Sequence, residues 1–490
     1  VVALSIALRY LVPRRRNLST ALISLVSVCV ISLVVWLALL FLSVTAGIER
    51  GWLDKLTALH APLRVCPTEA YYSSYFYRID AVSATSGFTP KTLGEKLSLP
   101  SDPYRPEIDA PLHPQFPRPL QGAEGSPRHL AGEAWRALQS LPGIAVGDYE
   151  IGGALLRIQL GGSQLSQMAF LLSYSSANPR FPSLLLPPPP GAPYAAHVVD
   201  GQVVFPDEKG VAPVLAPKQL QASGVQVGDR GALHYTSYAP FGSQEQLIQV
   251  RVAGFYDPGL VPAGGRCLVV PAEITRTIHA ATHTFSPDGT PTNGFFVWCR
   301  ELSEVGAVKA RVAQALEEQG LAPYFTVTDY AEYEFAKDLI GQFRSDKTLF
   351  LLIAILILLV ASSNIASLLI LLVNDKRKEI AILQALGASR LTIGAIFAVA
   401  GTVIGTMSCL LGIGAAWLTL YRIDLVVFLL SQIQGRSPFH PAFFGSQLPN
   451  TFSGDALLFV SIATPLLSLA AGLVPAWRAM RHNPSTALRS

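Results

Sequence analysis

The chain has 490 residues, half of them hydrophobic and only 14% charged, and its mean hydropathy of +0.38 is too high for a soluble globular protein of ordinary composition. A formal net charge of +4 supplies no general basic field that would argue for nucleic acid, so no nucleic-acid partner is expected and the placement of Lys and Arg carries the information instead. Five cysteines (Cys29, Cys66, Cys267, Cys299, Cys409) form no C-x-x-C pair and no zinc-type spacing, so no metal site is expected.

The first element is the uncharged stretch Leu18 to Ile48, preceded by Arg9 and Arg14, Arg15 and Arg16. A secretory apolar region runs ~7 to 15 residues, so this longer stretch is expected to stay as a membrane helix although Val44-Thr45-Ala46 loosely resembles a cleavage site. The chain begins at Val, which leaves its true N-terminus open. From Cys66 to about Ala131 the sequence is rich in Pro, Ser and Tyr; Pro106, Pro111, Pro114, Pro117 and Pro119 exclude long helices and central strands. The expectation for 66–131 is an extended, partly flexible insertion. Leu184 to Pro190 reads as a stiff polyproline II spacer.

Short β-type segments recur at Ala154 to Leu160, His197 to Phe205, Leu247 to Phe255, Cys267 to Val270 and Phe295 to Cys299. Glu304 to Gln319 has the spacing of an amphipathic helix, with Val305, Val308, Val312 and Leu316 on one face. Lying between the Phe295 segment and Tyr324 to Val327, it predicts a β-α-β unit. Asp329 to Phe343 is helical in pattern and runs into the next apolar stretch, which predicts a stalk helix over 329–347. An oxidising compartment would permit a Cys267 to Cys299 bridge.

Three further uncharged stretches follow, Thr348 to Val373, Leu391 to Tyr421 and Ala456 to Trp477, each reaching the ~20 residues that cross ~30 Å of hydrocarbon. Lys376, Arg377, Lys378 and Arg390 join the second to the third, and Arg478, Arg481 and Arg489 follow the fourth, whereas Tyr421 to Asp455 holds only Arg422 and Arg436. Positive charge collects on the cytoplasmic side, so both termini and the 374–390 loop are expected inside, with the 422–455 loop and the long span 49–347 outside. The expected fold class is a membrane protein with a four-helix transmembrane unit and a large α+β domain inserted between transmembrane helices 1 and 2. The segments are 1–48, 49–347, 348–373, 374–390, 391–421, 422–455, 456–477 and the tail 478–490.

The loop after the second stretch reads Lys376-Arg377-Lys378-Glu379-Ile380-Ala381-Ile382-Leu383-Gln384-Ala385-Leu386-Gly387. Good helix formers run to Leu386, and Gly387 sits where a left-handed residue would end the helix. Ile380, Leu383 and Leu386 make an apolar edge. Two readings stand for it: a surface helix laid against headgroups, or a knob that inserts into a groove on a cytoplasmic partner.

This loop with its Ala388-Ser389 ending resembles the one after the second transmembrane helix in the FtsX-like permease family, especially its lipoprotein-releasing (LolC/LolE) kind. The ending Pro475 to Arg481 with Pro484 to Arg489, and the opening Ile6 to Leu11 with Arg14 to Arg16, are similar to that family's termini. The resemblance covers roughly 1–52 and 202–490; the 66–131 insertion departs from it. It implies a non-catalytic permease of the cell inner membrane with a periplasmic α+β domain. It also implies a second permease, identical or paralogous, and a cytoplasmic ABC ATPase dimer coupled through 376–387. Lipoprotein would be drawn from the outer leaflet into a cavity between the first and second helices and passed to a periplasmic carrier. No G-x-x-x-x-G-K-[ST] phosphate loop occurs in the sequence, so no cofactor is expected in this chain, and ATP and Mg would be bound by the partner ATPase.

On the same resemblance the cavity candidates are Val34, Trp36, Leu40, Val44 and Ile48 on the first helix and Leu352, Ile355, Leu359 and Ser363 on the second. Each could equally face lipid or another helix, and Asn364 reads as an interhelical hydrogen-bonding amide. Tyr238, Ala239, Pro240, Phe241, Gly242 and Ser243, between two β segments, resemble the hook that captures the carrier; an ordinary hairpin tip is the other reading. Two rival functions remain: a division-linked or export permease of the same family, and a membrane-anchored receptor or hydrolase without ATP. The second finds no paired carboxylates, G-x-S-x-G or H-E-x-x-H to support it.

Overall fold

The computed structural model describes residues 18–100, 102–122, 125–239, 242–259, 264–282, 293–435 and 452–480. The opening motif before Leu18 and the tail after Met480 lie outside these residues. The chain divides into two compact units: Trp52–Ile340 forms one, and Val1–Gly51 with Gly341–Ser490 forms the other.

The first unit is β-rich. Its strands are β1 (Leu63–Pro67), β2 (Ile144–Leu160), β3 (Ser163–Ser173), β4 (His197–Val199), β5 (Gln202–Val204), β6 (Ala212–Pro217), β7 (Arg230–Ala239), β8 (Gly242–Tyr256), β9 (Cys267–Val270), β10 (Asn293–Cys299) and β11 (Phe325–Asp329). The main sheet runs β11-β1-β10-β2-β3-β9-β6-β8-β7, and β7 pairs back onto β2 through Leu155↔His234 to Ile158↔Gly231. Six strands, β2, β3, β9, β6, β8 and β7, therefore close into a ring that leaves no free edge. Closure needs a long β2. Its 144–150 segment pairs with β10 and its 151–160 segment with β3. Alternate residues point inward, so Leu156, Ile158, Leu171, Val214, Leu233, Val250 and Val252 fill the ring.

All five β-type segments lie in strands, with one refinement. His197 to Phe205 contains a hairpin of β4 and β5, because Asp200 (φ 50°) and Gly201 (φ 75°) adopt the left-handed conformation of a two-residue turn. Helix Val305–Glu318 buries Val305, Val308, Val312 and Leu316. The strands on either side of it, β10 and β11, are not neighbours: β1 lies between them, antiparallel to both. The expected β-α-β unit is thus split by a strand from far earlier in the chain. Leu184 to Leu186 pack along β8, with Leu186 N–H donating to Phe255 O at 2.8 Å, and the four prolines that follow are exposed.

Two expectations are corrected here. The 66–100 part of the 66–131 segment is folded into short elements, whereas the proline-rich 102–122 part has no helix or strand beyond the isolated Gln121 bridge and is mostly exposed. Short helices Glu69–Tyr72, Tyr75–Arg78 and Leu93–Lys96 bury Tyr71, Phe76 and Leu93 on the β1 and β10 side of the sheet, and the last of them begins with a capping box at Thr92 and Glu95. Proline forbids long elements, but the aromatic residues between the prolines supply enough apolar area to order short ones. The stalk, in turn, begins later than 329. Asp329 is the last residue of β11, paired with Leu63, and Tyr330 N–H donates to Pro62 O at 3.0 Å, so the helix starts at Glu334 and runs to Asp375.

Among the described residues four helices are long and apolar enough to cross a membrane: Leu18–His60, Glu334–Asp375, Arg390–Tyr421 and Gly454–Met480. The last two pack closely because glycine lets the backbones approach. A Cβ on Gly401 would meet Ser468 O at 2.9 Å, one on Gly405 would collide with the Ser468 side chain, and one on Gly472 would meet Phe397 O at 3.3 Å. Gly412 admits Val35 of the first helix in the same way. Ile31, Val35, Ile365, Leu369, Ile393, Phe397, Ile404 and Val460 form the core between the four helices.

Candidate functional site

The segment after the second long helix folds as helix Arg377–Ala385. Lys376 Nζ bonds Glu379 Oε1 at 2.6 Å, and an Arg377 guanidinium nitrogen donates to Asn374 Oδ1 at 2.8 Å, fixing the turn into it. It ends in a Schellman motif. Ala388 N–H donates to Leu383 O and Gly387 N–H to Gln384 O, each at 3.0 Å, with Gly387 at φ 94°. Ser389 then caps helix Arg390–Tyr421 by accepting from Thr392 N–H at 3.2 Å. The end of one helix and the start of the next are thereby capped within a few residues.

Its faces are not the ones an apolar edge through Ile380 and Leu383 implies. Ile380 and Ala381 are buried, Ile380 in the same core as Val373 and Ile393, and Leu383 is half-buried. Ile382 is 51% exposed and Leu386 80% exposed, one helical turn apart. The outward face thus consists of Ile382, Ala385, Leu386 and Gly387, with Arg377, Lys378 and Glu379 exposed beside it. The sequence pattern could not separate the two sets, because isoleucines at both 380 and 382 satisfy an apolar edge and only the neighbouring helices decide which is covered.

Of the candidate hook residues, Tyr238 and Ala239 end β7 and Gly242 and Ser243 begin β8, paired as Tyr238↔Ser243 and Ala239↔Gly242. Pro240 and Phe241 lie outside the described residues. Glu245 on this hairpin bonds His234 Nδ1 at 2.7 Å, and Gln244, Gln246 and Leu247 are exposed.

The cavity candidates separate into two groups. On the first helix Val34, Trp36, Leu40, Val44 and Ile48 are all half-buried, and Trp36 Nε1 donates to Thr419 Oγ1 at 2.9 Å, which makes it a helix-to-helix tie. On the second helix Leu352, Ile355, Leu359 and Ser363 are exposed within the chain. Asn364 is exposed too, since Ala361, Ile365 and Leu368 take the packing face, so among the described residues of this chain it makes no helix-to-helix contact.

Polar clusters elsewhere tie the β-rich unit together. Arg64 is buried against the Tyr149, Phe296, Tyr333 and Phe335 rings, 4.0 Å from the Tyr333 centroid, and bonds His60 Nδ1 at 3.0 Å. Burial pushes the Glu150 carboxyl above its ordinary range, opposed by the Thr92 hydroxyl at 2.6 Å and Arg276 Nε at 3.1 Å. Neither cluster could be found from sequence, because its members are scattered along the chain. Among the described residues no group of three or more His, Cys, Asp or Glu is arranged to hold a metal ion, and Cys267 and Cys299 are both free thiols.

Residues 351–484 match the FtsX-like permease C-terminal family model. The chain is 25% identical over 269 residues to lipoprotein-releasing system transmembrane protein LolC of Xylella fastidiosa (strain Temecula1 / ATCC 700964), a stretch covering 54% of this chain and 62% of that protein. It is 37% identical over 147 residues to the LolC of Haemophilus influenzae, covering 30% of this chain and 34% of that one. With the LolE of the same organism it shares 29% identity over 172 residues, or 34% and 41% of the two chains. The chain thus spans about three-fifths of the length of the Xylella protein, 62%, and less than half of the two Haemophilus proteins. The helix Arg377–Ala385 and the core residues contributed by the last three long helices fall inside the matched segment, so residues 351–484 are similar to the FtsX-like permease C-terminal family and the chain is similar to permeases of the LolC and LolE kind.

Proposed function

We propose that this chain is the permease half of an ABC transporter that draws lipoproteins from the outer leaflet of the inner membrane and passes them to a periplasmic carrier. Both termini and helix Arg377–Ala385 lie in the cytoplasm, and the β-rich unit lies in the periplasm. The observation that carries this reading is the capped helix Arg377–Ala385. It offers Ile382 and Leu386 outward while Ile380 and Ala381 are anchored in the helical core. An apolar knob rimmed by Lys378 and Glu379 is what a groove on a cytoplasmic ATPase dimer would grip. The ATPase binds ATP and Mg; this chain supplies the moving helices.

The exposed Leu352, Ile355 and Leu359 are apolar on a helix whose other face is packed, so they suit a cavity shared with a second permease. Acyl chains fit such a lining, and their transfer to water costs ~0.8 kcal/mol per CH₂, so extraction needs both an energy source and a shielding acceptor. The β7–β8 hairpin tip, Tyr238 to Ser243, is the element proposed to hold that acceptor. The relatives named as lipoprotein-releasing system proteins support the substrate class.

The double variant Ile382→Asp, Leu386→Asp tests the coupling contact. It is expected to insert in the membrane normally and to lose co-purification with the ATPase, while Ile380→Asp, which buries a charge, should fail to accumulate as folded protein. Retained ATPase association in the double variant would refute the contact. Depletion of the chain should leave lipidated proteins in the inner membrane, and normal sorting after complete depletion would refute the substrate.

A further inference from the structure

The segment 422–455, expected as an outer loop, opens with a helix, Ile423–Gln434, that nothing in the proposed transport cycle uses. Its 12 residues span ~18 Å, short of the ~30 Å of a bilayer core, so it cannot cross. Its surface is two-sided. Leu425, Leu429 and Ile433, at successive i, i+4 positions, are 54%, 53% and 81% exposed, with Val426 beside them. Asp424 and Ser431 lie on the opposite side of the helix, and Ser431 Oγ donates to Phe428 O at 2.6 Å. Among the described residues no element of the chain covers the apolar stripe.

The helix is continuous with an exposed apolar surface. It follows helix Arg390–Tyr421 after the single residue Arg422, and the end of that helix exposes Trp417, Leu418 and Tyr421. The Trp417 and Tyr421 rings stack at 5.6 Å, and the Arg422 guanidinium lies 5.6 Å from the Tyr421 centroid. Stacked aromatics followed by a cation mark the level at which a membrane helix leaves the hydrocarbon. A short amphipathic helix starting there has its apolar stripe at acyl-chain depth and Asp424 and Ser431 toward the headgroups.

We infer that Ile423–Gln434 is an interfacial helix lying in the plane of the membrane surface, its Leu425, Leu429 and Ile433 stripe buried among lipid. This rests on the reading that helix Arg390–Tyr421 spans the membrane. It anchors the outer end of the third membrane helix against tilting, which a solvated loop would not do.

The test is spin labelling of the full chain in vesicles of phosphatidylethanolamine and phosphatidylglycerol. Cys29 is replaced by Ser, the four buried thiols stay in place, and single cysteines stand at Leu425, Leu429, Ile433, Asp424 or Ser431. Accessibility is read to oxygen, which concentrates in lipid, and to a nickel chelate, which stays in water. The oxygen-to-nickel ratio is expected several-fold higher at 425, 429 and 433 than at 424 and 431. Nickel access dominating at all five positions would make the segment an aqueous loop, and low access to both reagents at the stripe would mean a protein partner covers it; either result overturns the inference. A label at Leu410, 69% exposed on the preceding helix, separates the two layers of argument. Water access there would overturn the membrane-spanning reading itself, and the interfacial helix with it.

Discussion

The β-rich unit and the helical membrane unit hold their interiors together by different means. In the β-rich unit long charged side chains are drawn into the interior by charge and aromatic partners: Lys96 buried against Asp80, half-buried Arg276 against Glu150, and Arg64 buried within four aromatic rings. In the membrane unit the close contacts are made by residues with almost no side chain, Gly401, Gly405, Gly412 and Gly472, against backbone, serine or valine. Water drives apolar burial in the first unit, and its ion pairs specify which short elements of a proline-rich segment dock where. Lipid supplies no such drive between helices, so backbone approach and dispersion must do that work in the second. The lesson is that one chain uses charge for specificity where solvent is aqueous and smallness where it is not.

Removing Lys96 should have the largest effect. Asp80 is fully buried, and losing its cation in Lys96→Met costs about 3–5 kcal/mol, which should free the 66–131 segment to limited proteolysis. An unchanged cleavage pattern would break the comparison, because the ion pair would then specify nothing. In the membrane unit, Gly412→Val should force the third helix away from Val35 at a cost of about 1–3 kcal/mol. Gly414→Val, which meets nothing within 4 Å, is the matched control. Thermal aggregation of the detergent-solubilised protein should shift down for the first and stay put for the second; equal shifts would mean that close approach is not what matters.

The smallest effect concerns Asp257. Burial pushes its carboxyl up, but bonds from Lys218 at 2.8 Å and Lys55 at 2.6 Å outweigh that and hold it below the ordinary value of 3.8. The unfolded chain then binds the proton more tightly. The contribution to stability is therefore complete above about pH 3.8 and is lost as pH falls through the lower folded value. Asp257→Asn should flatten this part of the acid-unfolding curve without altering the Gly412→Val shift, and an unaltered acid limb would remove Asp257 from the account.

Much of this architecture is local and could be read directly from the chain. Four uncharged stretches, the strand segments, the Val305 to Leu316 stripe and the stop at Gly387 each follow from neighbours within a turn or two, and each is present. Other features depend on residues hundreds of positions apart. That β1 lies between β10 and β11, that β7 returns to β2, and that the tyrosines of a proline-rich segment find a core are set by pairing partners no window of sequence contains.

The candidate coupling site divides along the same line. Its place in the chain, its helicity and its C-terminal cap are written in residues 376 to 387, because backbone hydrogen bonding and glycine's freedom act over four residues. Which isoleucine faces outward is not written there. Ile380 and Ile382 are chemically the same, and only the packing of Val373 and Ile393 around one of them leaves the other free to meet a partner.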